Sequence, residues 1–210
     1  MSMMSDEDHA RIAEAIRDAE SRTSGEIYAV LARRSDSYFF VAGFVVTVAI
    51  LIAAVVVALA AHWYWFTISL PLFGLAILAA FLTAILLIRL VPGLGMLFVP
   101  KRILYQRAHL NAVQQFLARN VHLPEKRTGI LLFVSLAEHY AEVVADAGIN
   151  ARVPQEEWNG IVAILTNHAA LDDHASGFLK AIRHAGQLLE THFPAGPDNV
   201  NELDDHLVEL

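Results

Sequence analysis

Cysteine is absent from the 210-residue chain, which excludes a disulfide framework, a thiol nucleophile and a thiolate metal site. The chain also lacks an excess of positive charge, because 15 Lys and Arg stand against 22 Asp and Glu, for a net charge of −7. Without a broad basic surface, nucleic acid is not expected as a partner. The first 35 residues carry mixed charge and no apolar core ahead of a cleavage site. They therefore do not read as a cleaved secretory signal.

Common catalytic and nucleotide-binding motifs are missing as well. The sequence contains no Gly-x-Gly-x-x-Gly, Walker, Gly-x-Ser-x-Gly or His-Glu-x-x-His pattern. None of the ten histidines forms a His-x₃-His pair, so solvated helix faces explain them better than a metal site does. Residues 198–202 fail the calcium-loop motif, because Val200 takes a ligand position and the required glycine is missing. These absences lower the expectation of an enzyme.

What the chain has in excess is apolar sequence, concentrated in two runs without charge. The hydrophobic content is 56%, above the roughly 45–50% of soluble proteins. Residues 38–61 would form a helix of about 36 Å, longer than the hydrocarbon core of about 30 Å. Residues 68–88 are also long enough, and Pro71 lies near the start of the run, where proline is tolerated. We therefore predict a transmembrane hairpin over residues 38–91, with spans 38–61 and 68–88 and an aromatic tip at residues 62–67.

The orientation of this hairpin is predicted from the positive charges beside it, since the tip has no Lys or Arg. Positively charged residues flank only the outer ends of the spans: Arg33, Arg34, Arg89, Lys101, Arg102 and Arg107. By the positive-inside rule, both termini and the soluble domain are predicted to be cytoplasmic, and the lipid bilayer is the first expected partner.

The remaining sequence predicts one α/β domain that the hairpin divides into residues 1–34 and 101–192, followed by an acidic tail at 193–210. A helix over residues 6–22 precedes a strand that begins at Glu26. Beyond the hairpin come a helix, a central strand at 130–136 and a neighbouring strand at 140–146, joined as a β-hairpin. Two amphipathic helices follow, around Trp158 and Phe178. The helix that follows Pro100 is predicted to bury Ile103, Leu110, Val113 and Leu117 on one face. The tail is predicted to be a lid or loosely held.

Candidate site residues lie where the predicted strands end. Ser35 and Asp36 follow the first strand, Ser135 and Glu138 lie at the β-hairpin, and Asp146 closes the next strand. Asp36, Glu138 and Asp146 are the candidates for catalysis and for binding a divalent cation such as Ca²⁺ or Mg²⁺, which would polarise a phosphoryl oxygen. The alternative is that these residues are ordinary turn formers and solvated loop charges.

Several segments together resemble the TPM domain family of bacterial membrane proteins. These segments are Arg22-Thr23-Ser24-Gly25-Glu26-Ile27, residues 128–138, residues 146–149, the helix of Trp158 and Asn201-Glu202-Leu203. The resemblance implies an α/β/α sandwich with a small mixed sheet. Relatives of this kind include plant thylakoid proteins linked to photosystem repair, for which phosphatase activity has been proposed, and a receptor-associated animal protein without an enzymatic role.

Two functions from different classes follow. The preferred one is a module in the bacterial inner membrane that binds other membrane proteins during assembly or repair. Gly43 and Gly74 would let the two helices pack closely with each other or with a partner. The alternative is a metal-dependent phosphatase at the membrane surface, which the resemblance alone implies. Three or more carboxylates converging in a pocket would favour the phosphatase, and an apolar groove would favour the module.

Overall fold

The computed structural model describes residues 3–91, 93–119, 121, 128–196 and 205–210. The chain divides into two compact units. One unit joins Met1–Ser35 to Tyr105–Leu210, and the other is Asp36–Leu104. The predicted features of residues 198–202 and of Asn201-Glu202-Leu203 lie outside the described residues.

The second unit contains two long apolar helices. They are α2 (Phe39–Trp63) and α3 (Leu70–Leu90), which contact each other and are followed by a 3₁₀ turn at Leu94–Phe98. Both helices are long and apolar enough to cross a membrane, and their most apolar stretches are not buried within the protein. A helix that is apolar on all sides has no polar face to turn towards water. The observed ends differ by one or two residues from the predicted spans, within the usual uncertainty of helix ends.

The first unit is a mixed α/β domain. Its elements are α1 (Asp6–Glu20), β1 (Glu26–Ala32), α4 (Lys101–Ala118), β2 (Gly129–Ser135), β3 (Tyr140–Ala145), α5 (Ala147–Asn150), α6 (Gln155–Ala169), α7 (His174–His192) and β4 (Leu207–Glu209). The first turn of α4 belongs to the second unit, which ends at Leu104. The Ser5 side chain accepts a hydrogen bond from the Asp8 N–H and so begins α1, as the capping sequence predicts.

The four strands are arranged in the order β3-β2-β1-β4. β1 runs parallel to β2, with Glu26 opposite Gly129, and parallel to β4 on its other side. β2 and β3 form the predicted antiparallel hairpin, in which Ser135 is opposite Tyr140. β1 and β2 are buried at every position, which explains why their sequences are apolar between the terminal Glu26 and Ser135.

Helices cover both faces of this sheet. On one face, α1, α6 and α7 bury a large core with side chains such as Ile16, Trp158 and Phe178. On the other face, α4 packs Ala112 and Phe116 against Tyr28 and Phe133. Along β1, Ile27, Ala29 and Leu31 all belong to the larger core, as the alternation of side chains along a strand requires.

The prediction for α4 is wrong at Leu110 and Leu117, whereas the other two predicted residues, Ile103 and Val113, are half-buried. The structure buries Ala108, Ala112 and Phe116, whereas Leu110 and Leu117 are 54% and 52% exposed. Small alanines let the helix backbone approach the sheet closely, so the larger leucines remain outside. Hydrophobicity alone does not reveal this preference.

The end of the tail forms part of the sheet. Leu207–Glu209 adds β4 alongside Ala29–Leu31, and Leu207 is buried. The Glu209 carboxylate accepts hydrogen bonds from the N–H groups of Met3 and Met4, at 2.7 and 2.9 Å. The two ends of the chain are thereby held together, so the prediction of a lid or a loose tail is wrong for these last residues.

Candidate functional site

The ends of β1 and β2 are joined by a small polar network. The Ser135 hydroxyl donates to Glu138 Oε2 at 2.5 Å, and the Ser35 and Ser135 hydroxyls lie 2.8 Å apart. The Ser35 N–H donates to Glu138 Oε1 at 2.9 Å. Because both carboxylate oxygens of Glu138 accept hydrogen bonds and the residue is only 2% exposed, this network fixes the strand ends.

The three predicted carboxylates are not assembled into one site. Asp146 lies beside the beginning of β2, where its N–H donates to the Gly129 carbonyl, whereas Glu138 follows the end of β2. Seven residues of extended strand separate these positions by about 20 Å. Within the residues that the structure describes, no three His, Asp or Glu side chains are grouped so that they could hold a metal ion.

Asp146 and Asp36 each have a local role. Asp146 begins α5, where its Oδ1 accepts the Ala147 N–H at 2.5 Å. Asp36 belongs to the unit of the two apolar helices, and its Oδ1 lies 3.4 Å from both the Ser37 hydroxyl and the Tyr38 N–H. Both arrangements are typical of aspartate in turns and helix caps.

A cavity of about 280 Å³ lies next to the polar network, between the β2–β3 turn and the α6–α7 turn. Its apolar walls include Val134, Leu136, Ala141 and Ala169. A pocket with mostly apolar walls and a few polar atoms is the usual form of a small-molecule or side-chain binding site.

Two turn residues of the cavity have left-handed backbone conformations. His139 has φ 50° and Asp172 has φ 58°, and both line the cavity. Non-glycine residues are uncommon in this region, because the backbone conformation is strained. They are found mainly at functional sites, where the surrounding structure offsets the strain. Nearby, Asp173 begins α7 by accepting the Ser176 N–H.

The polar groups of the cavity interact with one another and with nearby residues. His174 Nε2 lies 3.1 Å from Asp172 Oδ1 at the mouth. The Tyr140 hydroxyl donates to Glu142 at 2.9 Å. Burial and the Glu142 charge raise the pKa of Tyr140 above its usual value, so the phenol keeps its proton and continues to donate.

Sequence reasoning missed a buried acid with a strongly raised pKa, Glu20. Its Oε1 accepts the Ile27 N–H at 2.7 Å. Burial raises the pKa of Glu20 to about 9, with further contributions from the carboxylates of Glu26 and Asp205. The signal was present in the spacing, because Glu20 continues the buried positions Ile12 and Ile16 at intervals of four residues.

No family model matches the chain, and no curated protein matches it. A solved structure shares its fold. The chain is similar to the BA42 protein of the psychrophilic bacterium Bizionia argentinensis, determined by NMR, at 18% sequence identity and a TM-score of 0.62. The match covers 100% of this chain and 97% of that chain. This match establishes the α/β fold and carries no function over to the chain.

Proposed function

We propose that the protein is anchored in the bacterial inner membrane by α2 and α3 as a hairpin, and that its TPM-like α/β domain binds other membrane proteins during their assembly or repair. The observation that carries the proposal is the pair of adjacent helices that are apolar on all sides and unburied. Exposed apolar side chains on this scale, such as Phe44, Leu59 and Leu82, are stable in lipid and unstable in water.

Two glycines of these helices support binding of a partner within the membrane. A Cβ atom added at Gly43 or at Gly74 would meet no atom within 4 Å, so neither glycine serves the packing of α2 against α3. Small residues that are not used inside a hairpin allow close approach of another helix. The alternative, in which the two glycines pack α2 and α3 against each other, is not supported by these distances.

The cavity favours binding over phosphoryl transfer. A phosphatase site requires cations or metal ligands around the phosphoryl oxygens. No Lys or Arg is found among the described residues that line the cavity, and most of its wall is apolar. Such a surface suits an apolar group of a partner or a small molecule.

Membrane topology can be measured directly, because the chain has no natural cysteine. Single cysteines replace Ser5 near the N-terminus and Ser69 between the two helices, and intact cells are treated with a membrane-impermeant maleimide. The proposal expects labelling of Ser69→Cys from outside, and labelling of Ser5→Cys only after the cells are opened. Release of the protein from membranes by alkaline carbonate, or the reverse labelling pattern, would contradict it.

The binding role is tested by photocrosslinking in membranes. A photoreactive residue at Gly43 or Gly74 should give defined adducts with membrane proteins, whereas the matched position Leu59, 65% exposed, should give mainly lipid adducts. Equal adducts at all three positions would remove the support for a specific partner. Cation-dependent phosphomonoester hydrolysis by the purified protein, lost in an Asp146→Asn and Glu138→Gln double variant that keeps its fold by circular dichroism, would replace the proposal with the phosphatase.

A further inference from the structure

The cavity between the β2–β3 and α6–α7 turns has an unusual balance of hydrogen-bonding groups. The Thr166 hydroxyl donates to the Val162 carbonyl one turn earlier in α6. The Tyr140 hydroxyl donates to Glu142. Since each hydroxyl has one proton, Thr166 and Tyr140 offer a ligand only their oxygen lone pairs. Ser135 donates to Glu138, lies 2.8 Å from the Ser35 hydroxyl and is fully buried, so it belongs to the polar network.

The charged group at the mouth of the cavity also favours a ligand that donates hydrogen bonds. Asp172 is an acceptor when ionised, and its side chain is 97% exposed. His174 Nε2 lies 3.1 Å from this carboxylate, which leaves further oxygen lone pairs of Asp172 for a ligand. The described lining therefore presents oxygen acceptors, one carboxylate and no Lys or Arg.

From this inventory we infer that the cavity binds a primary ammonium group carried on a short apolar chain. The apolar walls of Val134, Leu136 and Ala169 enclose the chain, and the ammonium donates its three hydrogens to acceptors around Asp172. An anionic ligand is disfavoured, because it would meet the Asp172 carboxylate and no Lys or Arg among the described lining residues.

This inference rests on the proposed binding role of the domain and specifies one chemistry for it. A primary ammonium on an apolar chain has two sources, a free small amine and a lysine side chain of a partner protein. The two sources differ in what surrounds the apolar chain, since the lysine arrives with two peptide groups attached. The experiment therefore includes a probe of each kind.

Binding is measured by NMR titration of the full chain in detergent micelles. The probes are 3-methylbutylammonium, the neutral 3-methylbutanol, the anionic 3-methylbutanoate and N-acetyl-lysine methylamide. We expect saturable shifts at the amides of His139, Ala141 and Ala170, with the ammonium tighter than the alcohol and the carboxylate weakest. Tighter binding of the lysine amide than of the free amine identifies a partner side chain as the source, and the opposite order identifies a small amine.

Variants locate the site. Asp172→Asn preserves the left-handed turn, which asparagine tolerates, and should weaken ammonium binding by about three- to fivefold, the value of an exposed ion pair, while leaving the alcohol unchanged. Ala169→Leu fills the cavity and should abolish the shifts for every probe. Ala163→Leu is the matched control, because Ala163 lies on the exposed side of the same helix.

Two results would overturn the inference. One is equal or tighter binding of the carboxylate, and the other is ammonium binding that survives Ala169→Leu with the fold intact by circular dichroism. Neither result bears on the crosslinks at Gly43 and Gly74. Failure of this inference is therefore distinguishable from failure of the proposed function.

Discussion

Replacing Glu20 with glutamine is expected to stabilise the α/β domain at neutral pH and to flatten the dependence of its stability on pH. Glu20 is 5% exposed, and burial raises its pKa from 4.5 to about 9. Between these two values the folded domain holds a proton that the unfolded chain releases. The stability that depends on this proton is fully present below about pH 4.5 and is lost as the pH rises through about 9.

The effect of Glu20 on the free energy of unfolding at pH 7 follows from the difference between pH 7 and the pKa of 4.5 in the unfolded chain. Each pH unit costs about 1.4 kcal/mol, so proton uptake by Glu20 reduces the free energy of unfolding at pH 7 by about 3 kcal/mol. Glutamine has the shape of protonated glutamate and needs no proton uptake. Its carbonyl can accept the Ile27 N–H bond, and its amide can donate to Asp205 as the protonated acid does. Most of the 3 kcal/mol should therefore be recovered.

The assay is urea unfolding of the full chain in detergent micelles from about pH 5 to about pH 9. Trp63 and Trp65 are replaced by phenylalanine, so that the fluorescence reports on the buried Trp158. Glu14→Gln, on the exposed side of the same helix, should change stability by less than about 0.5 kcal/mol and keep the wild-type pH profile. Parallel profiles for wild type and Glu20→Gln would refute the reasoning, since they would mean that Glu20 is ionised in the folded domain.

Four other substitutions test three separate features. Gly129→Ala should destabilise the domain by more than about 2 kcal/mol in the same assay, because its Cβ would lie 1.9 Å from the Val121 carbonyl oxygen. At Gly160 the added Cβ would lie 3.8 Å from the nearest atom, so Gly160→Ala should stabilise α6 by up to about 1 kcal/mol. Equal effects of Gly129→Ala and Gly160→Ala on stability would contradict the close packing at Gly129. Glu138→Ala should cost about 2–4 kcal/mol, because it leaves buried donors at the strand ends without an acceptor, and a loss below 0.5 kcal/mol would show that the network is dispensable. Leu207→Asp should expose the edge of β1 to hydrogen exchange at Ala29–Leu31, and unchanged protection there would contradict the role of β4.

Much of the fold could be predicted because local pattern and burial agree. The strands at Glu26 and Gly129 are buried on both faces, and their sequences are apolar apart from the terminal Glu26 and Ser135. The helix of Phe178 shows its buried stripe directly, through Ile182, Ala185 and Leu189. In α4 the apolar pattern did not predict the buried face correctly, because the helix lies close to the sheet and buries alanines where leucines were expected.

The candidate site was less predictable, because it depends on which strand ends meet. Glu138 and Asp146 are eight positions apart in the chain and were expected together, but an antiparallel hairpin places them at opposite ends of the sheet. The cavity is formed by two turns whose left-handed residues, His139 and Asp172, carry no turn signal as strong as glycine. The strand at Leu207 is too short to show a period.

The pairing of β1 with both β2 and β4 sets the order of events during synthesis. β1 leaves the ribosome before the two apolar helices, whereas its partners follow much later: Gly129 comes about a hundred positions after Glu26, and Leu207 comes about 180 positions after it. Until β2 and β4 have been made, α1 and β1 are an amphipathic helix and an apolar strand without their sheet. The two apolar helices are therefore made while the domain is still open. The sheet closes only after both of the segments that lie beyond α3 have been made.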